Sequence, residues 1–294
     1  MSVLIPAIVP VALIILIGFI VERNLPLDLK TLAQLVLYVL APALVADSLY
    51  RTTLSAHSTT GLIMGFAIAS LVLFFLVLLI AKLLKLPDLV QKSLIATTLF
   101  PNTGNMGLPL NTFAFGDPGL ERAVIYMIAA SLLMFGAGPA LLKGEGLKHS
   151  LRLTLTLPLF WAMVAGLILR LLPFDLPLRL DEGIGMLGRA SIPISLIILG
   201  MQLSKTSFKL GRYEIFASFL RLIVAPIIAY NVGIILGLEG LDLKVLVLQS
   251  AMPTAINAFV LTTEFGGDAT RVARTIVVST LTSFITLPLV LWVI

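Results

Sequence analysis

Ten hydrophobic segments, each close to the length of a bilayer crossing, follow one another along this chain with only short connectors between them. Their limits are 3–21, 29–49, 60–81, 90–115, 120–142, 152–172, 182–202, 213–236, 243–264 and 271–294. A crossing helix needs about 20 predominantly apolar residues. Ten of them therefore consume most of the 294 residues and leave no room for a soluble domain. Composition agrees: 59% of residues are apolar and 12% charged, whereas a soluble domain carries about 25% charged residues. The sequence reads as an all-α polytopic membrane protein. The first segment is read as a true span and not a leader, because Arg23 follows it and no Lys or Arg precedes it.

Several classes of chemistry lack parts. Cysteine is absent, and the two histidines, His57 and His149, fall in expected loops. That leaves no thiolate nucleophile, no Ser–His pair inside the membrane and no donor set for zinc or haem. The "FGGD" run at 265–268 places no aspartate within a span. An enzyme, a metal site and a cofactor are not expected, and the net charge of +5 does not point to nucleic acid. In membrane proteins Lys and Arg gather in cytoplasmic loops instead.

Those cations set the orientation. Connectors after spans 1, 3, 5, 7 and 9 hold Arg23, Lys30, Lys82, Lys85, Lys92, Lys143, Lys148, Arg152, Lys205, Lys209, Arg212, Arg271 and Arg274. The opposite side holds Arg51, Arg122, Arg170, Arg179 and Lys244. Thirteen against five places the first set in the cytoplasm of a cell-membrane protein with both termini outside.

The chain also repeats itself at an offset near 150. "NLPLDLKTLAQLVLYVLAP" (24–42) lies over "DLPLRLDEGIGMLGRASIP" (175–193) without a gap. "KSLIATTLFPNTGN" (92–105) lies over "KVLVLQSAMPTAIN" (244–257), pairing Pro101 with Pro253 and Asn105 with Asn257. Each half holds five spans, an odd number, so the second half enters the membrane upside down. The expected architecture is ten transmembrane helices in two inverted five-helix repeats.

The repeat explains an oddity. "LFPNTGNMGLPLNT" (99–112) puts prolines, glycines and asparagines where span 4 should run unbroken. Pro101 cannot donate to Thr97, nor Pro253 to Gln249, so each frees a carbonyl four residues back. Gly104 and Gly107 loosen span 4 further. Broken helices at matching positions of two inverted halves point to a transporter's binding site. Each break also starts a half-helix whose amino end carries partial positive charge and unpaired N–H groups. Amides and hydroxyls of Asn102, Thr103, Asn105, Thr254 and Asn257 surround those ends, a nest suited to a small anion. A lone proline kink or an asparagine serving as interhelical glue would be unremarkable. The matched pairs favour a site.

At these residues the chain resembles the auxin efflux carrier family, which includes the plant PIN-FORMED exporters and bacterial carriers of malate- or malonate-like acids. "PNTGNMGLPL" in span 4 and "AMPTAINAF" in span 9 carry the likeness, which covers the whole chain. The resemblance implies a homodimer, crossed spans 4 and 9, and an elevator-like mechanism. In it, residues 1–58 and 148–212 (spans 1, 2, 6 and 7) form a scaffold. Residues 59–147 and 213–294 (spans 3–5 and 8–10) form the transport domain. The family's crossover proline maps to Pro101 and its substrate-contacting amide to Asn102. The short connector 143–151 replaces the long hydrophilic loop of many plant members, and span 3 lacks an acid.

Two intramembrane cations remain. Arg189, about two turns inside span 7, is a candidate for attracting a substrate carboxylate. Arg221 in span 8 is expected to snorkel towards the cytoplasmic interface. Asp47 and Glu264 lie near span ends and are read as interfacial. A sodium-coupled organic-anion symporter of the bile-acid type is the alternative function, and a channel stands behind it.

Overall fold

A computed structural model describes residues 4–143, 152, 154–171, 176–205 and 208–294. Among these residues there is no strand, and seven helices are long and apolar enough to cross a membrane. The helices are α1 (Leu4–Asn24), α2 (Leu29–Arg51), α3 (Ala56–Leu83), α4 (Asp88–Leu99) and α5 (Thr103–Lys143). They continue with α6 (Pro158–Leu171), α7 (Leu180–Lys205) and α8 (Arg212–Ile235). The last three are α9 (Gly240–Ser250), α10 (Asn257–Phe265) and α11 (Ala269–Val293). The 41 residues of α5 would reach about 60 Å if straight, twice the hydrocarbon core. It is in fact two helices joined at Gly116, whose φ of 66° and ψ of −160° are not helical.

Local chemistry sets the starts. The Asp28 carboxylate accepts from the Lys30 and Thr31 N–H groups at the head of α2. Ser55 does the same for Ser58 in α3, and Asp268 for Arg271 in α11. Each satisfies donors that a helix start leaves orphaned.

Four of the prolines inside the spans share a mark, while Pro10, Pro193 and Pro288 stand in continuous α-helix. Among the described residues there are four widened π turns, at Val36–Leu40, Thr103–Gly107, Leu132–Ala137 and Leu220–Val224. Each ends two residues before a proline: Pro42, Pro109, Pro139 and Pro226. In every case the residue just before the proline donates five residues back, as Ala41 does to the Val36 carbonyl and Ala225 to the Leu220 carbonyl. A proline ring clashes with the carbonyl four residues earlier and offers it no hydrogen. One wider turn relieves the clash and keeps the helix going.

The helices pack in two groups. Gly18 of α1 faces the Ile197 backbone and Gly200 of α7 faces that of Ile15, so close that a Cβ at either position would overlap main chain. Small residues at membrane interfaces permit this approach. α2 lies against α6 and α7, completing the first group. In the second group, α3 packs on α4, α5, α8 and α9, while α8 and α10 pack on α11. Side chains meeting between the groups are largely apolar: Ala7, Val11, Leu196 and Leu199 against Met106, Leu110, Leu248 and Leu287. Among the described residues the ion pairs stay within a group. Arg51–Asp181 and Lys205–Glu22 tie the first, and Arg122–Asp242 and Arg271–Asp268 the second.

Candidate functional site at two interrupted helices

α4 stops at Leu99 and α9 at Ser250, and the interrupted stretches that follow run past each other. Pro101 and Thr254 form an isolated antiparallel bridge. The Asn102 N–H donates to the Pro253 carbonyl at 2.7 Å, and the Ala255 N–H donates to the Phe100 carbonyl at 2.8 Å. Backbone groups that hydrocarbon would leave unsatisfied at a cost of several kcal/mol each thus satisfy one another.

Four of the carbonyls released by the breaks find donors. Thr97, which Pro101 cannot serve, accepts the Thr254 hydroxyl at 2.7 Å. Thr98, whose usual donor Asn102 has turned away, accepts Arg221 Nη1 at 2.5 Å. Ser250 accepts Arg221 Nη2, because the Thr254 N–H goes to Ser279 Oγ instead. Gln249 accepts the Met252 N–H. Arg221 is 2% exposed and has no carboxylate partner among the described residues. The snorkelling expected for Arg221 is therefore corrected. The guanidinium turns inward because two helix carbonyl ends converge on it, and cations are favoured there.

The amino ends face the other way, into a cavity of about 400 Å³. Pro101, Asn102, Thr103, Gly104 and Asn105 line it from one break, and Ala255, Ile256 and Asn257 from the other. The first-turn N–H groups of Gly104, Asn105 and Asn257 have no backbone acceptor among the described residues. Asn102 is 5% exposed, and its Nδ2 has no partner. Gly107, one turn on, admits the Gln249 amide, which a methyl group there would strike. Across the cavity stand Lys30, Gln34, Tyr38 and Ala41, a stripe at helical spacing on α2. Gln202 of α7 and Ser131 of α5 complete its polar lining. Among the described residues no Asp or Glu lines the cavity, and Lys30 is the one charged residue that does.

Of the sequence-derived candidates, Asn102, Thr103, Asn105 and Asn257 come together around this space, with Pro101 and Gly104. Thr254 and Pro253 lie behind it: Thr254 is fully buried and its hydroxyl is engaged by Thr97. Arg189 is exposed and is not among the lining residues. Gly185, Gly188, Ser191 and Ser195 mark the buried face of α7, and Arg189 sits about 100° away from it. Asp47 pairs with Arg51 at 2.8 Å, and Glu264 is exposed. His57, expected in a loop, occupies the first turn of α3, and His149 lies outside the described residues. Lys30 and Arg221 are the charged groups sequence reasoning missed, and Gln34, Tyr38, Ser131 and Gln202 the neutral ones.

Comparison with known proteins places the chain. The profile of the family described as membrane transport protein matches residues 3–151 and 144–291. An uncharacterized transporter of Methanothermobacter thermautotrophicus is 32% identical over 291 residues, covering 95% of this chain and 94% of its own. One from Methanocaldococcus jannaschii is 26% identical, covering 90% and 89%. A Rhizobium meliloti protein bearing the name "Putative malonate transporter" is 24% identical over 88% of this chain and 85% of its own.

Proposed function

The chain belongs to the membrane transport protein family, the auxin efflux carriers, and from that premise we propose that it exports or exchanges small organic anions, carboxylates above all. The carrying observation is the cavity's polar inventory among the described residues: amides, hydroxyls, two helix amino ends and one ammonium, with no carboxylate. A cation there would meet positive helix ends with nothing to offset them. A carboxylate would accept from the N–H groups of Gly104, Asn105 and Asn257 and from the unengaged Nδ2 of Asn102. A hydrogen bond to a charged group contributes about 1.5–3 kcal/mol, and a helix end about 0.3–1 kcal/mol more. Asn102, Thr103, Asn105 and Asn257 bind and orient the anion in this reading, and Lys30 draws it in from the mouth. The name borne by the Rhizobium meliloti relative fits a small dicarboxylate.

The mechanism proposed is alternating access by an elevator-like movement. Residues 1–58 and 148–212 stay fixed in a homodimer while 59–147 and 213–294 carry the site, all within ten spans arranged as two inverted repeats. The apolar boundary between the two helix groups supports this, because no ion pair among the described residues would break when they slide. The cavity is lined by the Lys30 end of α2 and the Gln202 end of α7. Under the charge rule that end is cytoplasmic, so the form described is open inward with both termini outside.

The test is uptake into proteoliposomes with a panel of mono- and dicarboxylates, amines and neutral sugars. Saturable carboxylate transport is expected, with affinity falling as pH drops through the substrate's own carboxylate pKa, since the anion is the species recognised. An amine or sugar outcompeting every carboxylate overturns the reading.

A further inference from the structure

On the far side of the crossing from the cavity, the carbonyl ends of α4 and α9 converge inside the membrane. Such ends carry partial negative charge, and in broken-helix transporters unwound carbonyls and half-helix carboxyl ends are where a coupling sodium ion or proton is held. Here that position is filled from within the chain. Arg221 reaches the Thr98 carbonyl with one arm of its fork and the Ser250 carbonyl with the other. The residues around it are Phe66, Ala69, Ser70, Leu73, Tyr126 and Ala225, none of them acidic. Tyr126 is tied to Ser250 Oγ at 2.8 Å, which fixes the wall opposite α8. The π turn Leu220–Val224 carries Arg221, and Pro226 enforces that turn.

We propose that Arg221 is a resident cation that takes the place of a coupling metal ion at the crossing. A guanidinium keeps its charge and holds two acceptors in a fixed planar fork, so it neutralises both helix ends permanently and moves with them. The chain then needs no sodium to keep its two breaks together, and solute movement is independent of sodium and potassium gradients. This goes beyond the anion reading: it concerns the opposite face of the crossing and holds whichever solute the cavity takes.

Thermal unfolding of the purified full chain tests it without any substrate. In sodium, lithium, potassium and choline chloride at equal ionic strength, the parent midpoint is expected to be unchanged. Arg221→Lys is expected to keep most of the stability. Arg221→Gln is expected to unfold at a lower temperature and to recover progressively with millimolar sodium or lithium, the emptied carbonyls having become a cation site. Arg221→Ala is expected to recover with millimolar ethylguanidinium, to which the parent does not respond. Specific stabilisation of the parent by sodium overturns the proposal. So does a stable, cation-indifferent Arg221→Gln, or a damaged one that neither sodium, lithium nor ethylguanidinium restores. Should the neutral variants fail to fold, the parent's cation response and the fate of Arg221→Lys decide it.

Discussion

Replacing Thr254 with valine isolates the hydrogen bond that holds the two breaks in register. Valine nearly matches threonine in volume, so what is lost is the 2.7 Å bond to the Thr97 carbonyl. That carbonyl has no substitute donor, because residue 101 is proline and Thr254 is fully buried, away from cavity water. A buried acceptor left unsatisfied costs about 1–3 kcal/mol. Interhelical hydrogen bonds in membranes average nearer 0.6 kcal/mol, because the unfolded chain also finds partners in the bilayer. A carbonyl beneath a proline lacks its helical partner in both states, which pulls the expectation back up to about 1–2 kcal/mol. The assay is equilibrium unfolding in mixed micelles of mild and denaturing detergent. Solute affinity is expected to stay near the parent value, because the hydroxyl does not line the cavity. An undamaged Thr254→Val refutes the carbonyl accounting.

Asn105→Ala and Asn257→Ala are each expected to weaken substrate binding by about 1–2 kcal/mol, one well-placed hydrogen bond, with stability near that of the parent. Normal transport by either variant, measured in proteoliposomes, makes that residue packing. In this cysteine-free chain, single cysteines at His57 and Ser204 are expected to label from opposite sides, His57 from outside and Ser204 only after permeabilisation. Labelling of both from one side removes the inverted repeat.

What the sequence exposes and what it hides divide along a physical line. A proline with an asparagine four residues on, matched in both halves, announces a break where Pro10, Pro193 and Pro288 alone do not, so the composition of the cavity wall near Pro101 was legible residue by residue. The antiparallel pairing of Pro101 with Thr254 was not, because it is made by main-chain groups that every residue possesses. Arg221 was misread for the same reason: its partners are the backbone carbonyls of Thr98 and Ser250, invisible in any side-chain pattern. A signal did exist. The breaks release carbonyls inside hydrocarbon, and an intramembrane arginine is a ready donor for them. For Arg189 the signal was periodicity. Gly185, Gly188, Ser191 and Ser195 trace the packed face of α7 and leave the arginine outside it.

The crossing sorts charge without using an acid. Cutting a helix creates two ends of opposite sign, and two cut helices laid antiparallel bring like ends to the same side. The carbonyl ends of α4 and α9 meet Arg221, buried and permanent. The amino ends of α5 and α10 meet an open cavity with the unengaged Asn102 amide beside them and Lys30 across it. One side of the crossing is therefore neutralised by the protein, and on the proposed reading the other receives an anion. A carrier must not bind its solute too well, and this asymmetry suits that need. On the proposed reading Arg221 is sequestered from the solute, while neutral donors and partial charges hold the anion, with Lys30 at the mouth. On that reading the contributions, about 0.3–1 kcal/mol per helix end and 1.5–3 kcal/mol per charged hydrogen bond, would favour an anion over a cation without a fully buried ion pair to break on release.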